Sequence, residues 1–350
     1  MRAPLAARSV LTMAAMLAES AKHFVLEATR ADAITRCESL QSLWSGYGDI
    51  QRMTLDGAEA PLSVIVKRIA PPARRARGEA AADDTSLRRK VRSYQIEACW
   101  YRDWSERCPE SARVPHCFGV GGTDRERLIV LEDLDAAGFP RRTSRINKGE
   151  VQTCLRWLAQ FHGAFLGVAP TGLWKTGTYW HLRTRPDECA RMADGPLKRA
   201  AQALDDALNR CRYQTVVHGD AKVENFCFSH NGQRVAAVDF QYVGGGCGIK
   251  DVAYLLDSAL SVRECSAWEH ELLACYFDEL HNALHARNVR VDFAELKDEW
   301  TRLYAIAWAD FARFFDGWSP DQAALSGYSR GLIERALAQV RLTPATDSRL

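Results

Sequence analysis

The chain has 350 residues, 47% of them hydrophobic, and 46 basic against 44 acidic side chains leave a formal net charge of +2. That length and apolar content suffice for a two-lobed protein with a real core, and so even a charge balance gives no broad field for nucleic acid or a membrane surface. No apolar run approaches the roughly 20 residues of a membrane span, and eleven scattered cysteines without Cys-x-x-Cys spacing read as reduced thiols in a cytoplasmic compartment.

Met1 to Ala18 carries Arg2 and Arg8, no acid, and the apolar run Val10 to Leu17. It reads either as a targeting peptide or as a leading helix, inside an N-terminal extension over 1–34. Trp44-Ser45-Gly46-Tyr47-Gly48-Asp49-Ile50 is a glycine turn between two strand-like stretches, and backbone N–H groups in such a turn can face phosphates. Leu62 to Lys67 follows as a strand. Residues 70–88 have no periodicity and are rich in Ala, Arg, Pro and Asp, which predicts a mobile surface insertion. The basic cluster Arg88-Arg89-Lys90 at its end reads as solvated charge or as a contact for an anionic partner. A helix begins at Ser93, with Tyr94, Trp100 and Tyr101 as its apolar payload. Leu128 to Leu134 is a continuous apolar run closing on Glu132 and Asp133, a buried strand entering a connector whose acids read as solvated.

The second half is helical. Val151, Leu155, Leu158, Phe161 and Phe165 fall on one face of a helix over Glu150 to Leu166. Gly172-Leu173-Trp174 through Tyr179-Trp180-His181-Leu182 is rich in aromatics that can wall a pocket. Tyr304, Trp308, Phe311 and Phe315 form one stripe of a later helix, which reads as core.

Between these lies the most informative stretch, His218-Gly219-Asp220-Ala221-Lys222-Val223-Glu224-Asn225, followed by Val238-Asp239-Phe240-Gln241. A β-branched run from Tyr213 to Val217 leads into the loop. Phe226 to Phe228, a turn at Ser229 to Gly232 and a buried strand from Val235 to Phe240 make a hairpin that returns Asp239 beside Asn225. Phosphoryl transfer from ATP to a hydroxyl requires a proton acceptor and oxygen ligands for Mg²⁺. Asp239 and Asn225 supply the metal oxygens, Asp220 can take the hydroxyl proton, and Lys222 can reach the transferred group. Gly219 is expected to let the loop pass closely under the nucleotide.

His-Gly-Asp-x₄-Asn with a downstream Asp-Phe-Gln resembles the protein-kinase-like superfamily. It is most similar to small-molecule kinases of the aminoglycoside phosphotransferase and choline kinase type, their ecdysteroid-kinase-like branch above all. The resemblance covers roughly residues 35–320. It implies an α+β, two-lobed protein-kinase-like fold: a small antiparallel-sheet N-lobe over 35–134 and a larger, mainly helical C-lobe over 135–345. It implies ATP and Mg²⁺ as cofactors, Asp220 as the base, and Asn225 and Asp239 as metal ligands. Val-Ile-Val-Lys resembles a Val-Ala-Ile-Lys signature, so Lys67 would hold the α- and β-phosphates with Glu97 orienting its amine, beneath Gly46 and Gly48. Adenine would meet the connector backbone from Glu132 to Leu134. His218 and Asp251 would support the loop, and His162 would pack beneath it.

Only twelve steps separate Asp239 from Asp251, filled by Gly244-Gly245-Gly246-Cys247-Gly248. No Ala-Pro-Glu anchor is present, and glycine stands where protein kinases have arginine. The acceptor expected is therefore a small hydroxyl compound. A catalytically silent nucleotide-binding scaffold and a protein kinase remain as alternatives.

Overall fold

The computed structural model describes residues 19–43, 46–70, 82–123, 126–320 and 326–342. The readings made for Met1 to Ala18 and for residues 71–81 of the insertion lie outside the described residues, as do Trp44 and Ser45 of the glycine turn. Two compact units divide the chain: Met1–Arg75 with Cys117–Asp133, and Ala76–His116 with Leu134–Leu350.

The first unit is one antiparallel sheet backed by a helix. Its strands are β1 (Ala33–Ser42), β2 (Gly48–Asp56), β3 (Ser63–Ile69), β4 (Cys117–Gly122) and β5 (Arg127–Glu132), in the order β1-β2-β3-β5-β4. In β2 the alternate residues Gln51, Met53 and Leu55 are buried, the period of a half-covered strand. Helix α1 (Glu19–Thr29) covers that face: Ala21 and Val25, one turn apart, pack with Met53, Leu55, Val64, Val66, Leu128 and Val130. Gly121 in β4 admits the helix, because a Cβ there would lie 2.4 Å from the Phe24 ring. Residues 19–34, read from sequence as an extension, thus build the core of this unit.

Asp133 is a correction to the sequence reading. It is buried, and its carboxylate accepts from Arg52 Nε at 2.7 Å, Arg52 Nη2 at 3.2 Å and Ser63 Oγ at 2.8 Å. A buried acid held by a guanidinium fork and a hydroxyl is structural, not solvated.

The second unit begins its described part with α2 (Ala82–Asp103), which starts eleven residues ahead of Ser93. Leucine, arginine and lysine are good helix formers but gave no apolar period to announce them. Helix α3 (Lys148–Ala164) carries a capping box, Asn147 accepting from Glu150 N–H and Glu150 from Asn147 N–H. Short helices α4 (Pro186–Arg191), α5 (Pro196–Arg199) and α6 (Ala201–Asn209) follow. Then come β6 (Thr215–Val217), the hairpin β7 (Phe226–Phe228) and β8 (Val235–Ala237), and β9 (Gly244–Gly246), which pairs with β6. Helices α7 (Ile249–Ala259), α8 (Val262–Ala286), α9 (Phe293–Trp318) and α10 (Gly327–Leu342) complete the unit. α3 packs on α8, and α9 on α4, α6, α7 and α10. No helix among the described residues is long and apolar enough to cross a membrane.

Candidate active site

Asp220 sits on the loop between β6 and β7, entirely within the second unit. The β7–β8 pairing sets Phe226 opposite Ala237, and Val238 N–H donates to Asn225 O at 3.0 Å. Asp239 is the next residue. Its φ of +68° puts it in the left-handed region, which asparagine and aspartate tolerate better than most residues. This ends β8 at Ala237, three residues short of the predicted Phe240.

Asn225 Nδ2 donates to Asp220 O at 2.7 Å and to Asp220 Oδ2 at 3.0 Å. Its NH₂ is therefore spent on Asp220, and its Oδ1 is turned to the other side. Asp220 Oδ1 is buried and accepts no hydrogen bond among the described residues. Lys222 Nζ lies 3.8 Å from Asp220 Oδ2 on a partly exposed side chain. Burial pushes the Asp220 carboxyl up to about 7; nearby Lys222 opposes this, while Asp239 and Asp251 reinforce it. An orphaned acceptor on a carboxylate of raised pKa, in a buried loop, is an arrangement that packing alone does not produce.

The loop is held from behind. Asp251, on the first turn of α7, accepts from His218 N–H at 2.6 Å through Oδ2 and from Gly219 N–H at 3.0 Å through Oδ1. It does not cap its own helix, whose N-cap is Gly248. His162 Nε2 lies 3.1 Å from the same carboxylate, and its Nδ1 lies 2.7 Å from Tyr276 Oη, beneath the loop. His218 is fully buried. Its Nδ1 accepts from Asp220 N–H at 3.2 Å, so Nε2 carries the proton donated to Val238 O at 3.0 Å. One imidazole thus ties the loop to the strand that delivers Asp239.

Gly219 needs to be glycine for the packing of the protein itself. Its φ is +80°, and a Cβ would lie 2.1 Å from Tyr242 O and 2.8 Å from Thr178 N. The crowding comes from the protein itself. Thr178 N–H donates to Tyr242 O at 3.2 Å and Tyr179 N–H to Gly219 O at 3.0 Å, so residues 178–179 are laced onto the loop. The glycine run 244–246 likewise forms β9, where a Cβ on Gly244 would lie 2.3 Å from Trp174 O. Phe240 is buried against Trp100 of α2 (ring centroids 4.4 Å) and His218 (4.6 Å). Gln241 Oε1 accepts from Lys90 Nζ and Ser93 Oγ, both at 3.2 Å.

The other predicted residues are distributed as follows. Glu97 is buried on α2 in the second unit, and Lys67 is buried on β3 in the first. Gly46 and Gly48 close the β1–β2 turn with φ of +73° and +133°; a Cβ on Gly48 would meet Arg68 O at 1.9 Å, so strand crowding already demands glycine there. Glu132 pairs with Val64 at the end of β5. Leu134 is buried in the second unit and its carbonyl accepts from Phe139 N–H at 2.8 Å.

Sequence reasoning marked 172–182 as a stretch that can wall a pocket but did not place it beside Asp220. Tyr179 packs on Tyr242 (5.9 Å) and Tyr254 (5.6 Å), and its hydroxyl lies 3.2 Å from that of Tyr254. Trp174 stacks on Tyr242 at 6.2 Å. The signal was the aromatic density of 172–182, which did not show that this segment docks on the loop. Tyr304, Trp308 and Phe311 are buried in α9, and Phe311 joins Trp180 and Tyr254 in one cluster.

The family model described as the phosphotransferase enzyme family (APH) matches residues 56–288, more than half of the chain. A candidate aminoglycoside phosphotransferase from Ralstonia eutropha JMP134 is similar in fold: TM-score 0.51, 13% identity, 92% of this chain and 95% of that one covered. Choline kinase from Cryptosporidium parvum Iowa II aligns at TM-score 0.45 and 9% identity over 92% and 95% of the two chains. Ethanolamine kinase from Plasmodium vivax aligns at TM-score 0.45 and 12% identity over 93% and 87%. No curated protein sequence matches the chain.

Proposed function

Because the chain belongs to the phosphotransferase enzyme family, we propose that it transfers the γ-phosphoryl group of ATP to a hydroxyl of a small molecule, with Asp220 as the proton acceptor. The observation that carries this reading is the Asp220 carboxylate: Oδ2 is tied to Asn225, and Oδ1 is buried with nothing among the described residues donating to it. A substrate hydroxyl bonded there would give up its proton to the carboxylate as its oxygen bonds to the γ-phosphorus and the bond from that phosphorus to the β-phosphate oxygen breaks, releasing ADP. A base with a pKa near 7 is matched to that task.

The donor set suits Mg²⁺. Among the described residues no three His, Cys, Asp or Glu side chains form a metal cage. Asn225 Oδ1 and the Asp239 carboxylate are one neutral and one charged oxygen ligand, the sparse protein share expected where phosphate oxygens and water complete the shell. When bound there, the ion neutralises charge on the phosphates. Lys222 is proposed to stabilise the transferred phosphoryl group. In the first unit, Lys67 and the backbone at Gly46 and Gly48 are proposed to hold phosphates; the backbone of Glu132 and Leu134 is proposed to hold adenine.

The test is ATP consumption over sugars, cholines, steroids and aminoglycosides, run with two variants. Asp220→Asn should slow turnover about 10²–10⁴-fold while Mg·ATP still binds. Asp239→Ala should lose Mg²⁺-dependent nucleotide binding. Wild-type turnover by Asp220→Asn would remove Asp220 from its role.

A further inference from the structure

Arg89 is a guanidinium of this unit that donates to neutral oxygens alone among the described residues. It lies on α2, half-buried; Nη1 donates to Thr184 O at 3.1 Å and Nη2 to Ser86 Oγ at 3.2 Å. It makes no ion pair with a carboxylate among the described residues. The next residue after Thr184 is Arg185, a second guanidinium. Arg185 Nε donates to Tyr179 O at 3.0 Å, its Nη1 to Glu188 Oε1 at 3.2 Å, and its guanidinium lies 5.8 Å from the Tyr179 ring. Burial first and Arg185 second drive the pKa of Arg89 down, and Tyr242, Glu188 and Asp187 only partly oppose them. The planar donor fork of arginine matches carboxylate and phosphate, so such a pair suits an anion.

The place of the pair is fixed relative to the base by a short chain of bonds. Arg185 holds the carbonyl of Tyr179, and Tyr179 N–H holds the carbonyl of Gly219, the residue before Asp220. Tyr242, whose carbonyl crowds Gly219, packs its ring on Tyr179 and Trp174. Its hydroxyl is influenced by Arg185 and Arg89 as well as by Asp220 and Asp239, with burial the dominant cause of its raised pKa. The aromatic wall beside the base therefore has guanidinium groups at its other end.

Resting on the phosphotransferase reading of this site, we infer that the acceptor carries an anionic group, carboxylate or phosphate, which Arg89 binds with Arg185 flanking it while the acceptor's hydroxyl faces Asp220 across Tyr179 and Tyr242. The anion supplies the direct ion pair that Arg89 does not make with Asp187 or Glu188, and the tyrosine rings bury the carbon skeleton between the two ends. Arg88-Arg89-Lys90 is then not a solvated cluster: Arg89 takes the anion, and Lys90 secures Gln241.

Calorimetry in the presence of a non-hydrolysable Mg·ATP analogue tests this. The probes are gluconate against glucose, and glycerate and glycerol 3-phosphate against glycerol. At least one anion should bind more than about tenfold tighter than its neutral counterpart, the worth of a charge-assisted bond. Arg89→Gln, which keeps an amide to donate to Thr184, should abolish that preference, Arg89→Lys should restore part of it, and neutral probes should bind all forms alike. Charge-blind binding by the wild type, or an anion preference that survives in Arg89→Gln, overturns the inference. Binding of the Mg·ATP analogue is measured first: its failure strikes the phosphotransferase reading, whereas its success without anion preference strikes this inference alone.

Discussion

Asp251→Asn isolates the support of the loop from its chemistry. The wild-type carboxylate uses Oδ2 for His218 N–H at 2.6 Å and Oδ1 for Gly219 N–H at 3.0 Å, with His162 Nε2 at 3.1 Å from Oδ2. Asparagine offers one carbonyl oxygen, so one backbone N–H must face an NH₂. That leaves a buried donor unsatisfied, which costs about 1–3 kcal/mol, and it replaces an ionic acceptor by a neutral one for the remaining bond, which costs roughly 1 kcal/mol more. A loss of about 2–4 kcal/mol in urea unfolding is expected. The displaced residues are His218 and Gly219, immediately before Asp220, so kcat should fall at least about tenfold, with Mg·ATP affinity changed much less. A variant that unfolds within about 0.5 kcal/mol of wild type at unchanged kcat would show that Asp251 does not set the loop.

Two further outcomes follow from the same loop. Asp220 must be ionised to accept a proton and its carboxyl is pushed up to about 7, so kcat/KM for ATP should rise with pH through that value and level off above it; the limb should vanish in Asp220→Asn, and a flat wild-type profile from pH 5 to 9 would contradict the assignment. Gly219→Ala places a Cβ 2.1 Å from Tyr242 O at φ +80°, so it should cost at least about 2 kcal/mol in denaturant unfolding; a neutral result would mean that the 178–179 segment is not docked on the loop as described.

The parts legible in the sequence were those in which residue type and spacing carry chemistry. Asp220, Asn225 and Asp239 meet because a short hairpin joins them, and the hairpin announced itself through Phe226 to Phe228, a Ser-His-Asn-Gly turn and Val235 onward. What stayed hidden depends on contacts between segments distant in sequence. Nothing local shows that Arg52 and Ser63 will bury Asp133, that Tyr242 O will exclude a side chain at Gly219, or that Gly244–Gly246 pairs as a strand in which Trp174 O and Lys175 O leave no room for a Cβ on Gly244 or Gly245. The first turns of α2 were missed for a different reason. Helix propensity without amphipathic periodicity resembles an unstructured charged segment, and the contacts of Arg89 and Lys90 were missed with it.

His218 constrains the working range of this loop independently of Asp220. Its Nδ1 must remain an acceptor for Asp220 N–H, and only the neutral ring allows that. Burial lowers its pKa, with Asp251 and Asp239 partly opposing. A histidine whose folded pKa lies below the ordinary 6.5 stabilises the fold above that value, and the contribution is lost as pH falls and the unfolded chain takes up the proton. Acid therefore acts twice: it protonates Asp220, which stops proton acceptance, and it favours the charged imidazole, which would release the backbone of Asp220. The two are separable because Asp220→Asn removes the first and leaves the His218 bonds in place. Asp220, whose carboxyl is raised in the fold, takes up its proton there before it would in the unfolded chain and so offsets the acid loss of stability in the wild type. In Asp220→Asn the offset is gone and the acid loss of stability should be larger, since the ring is held by the main chain of residues 220 and 238 rather than by the carboxylate.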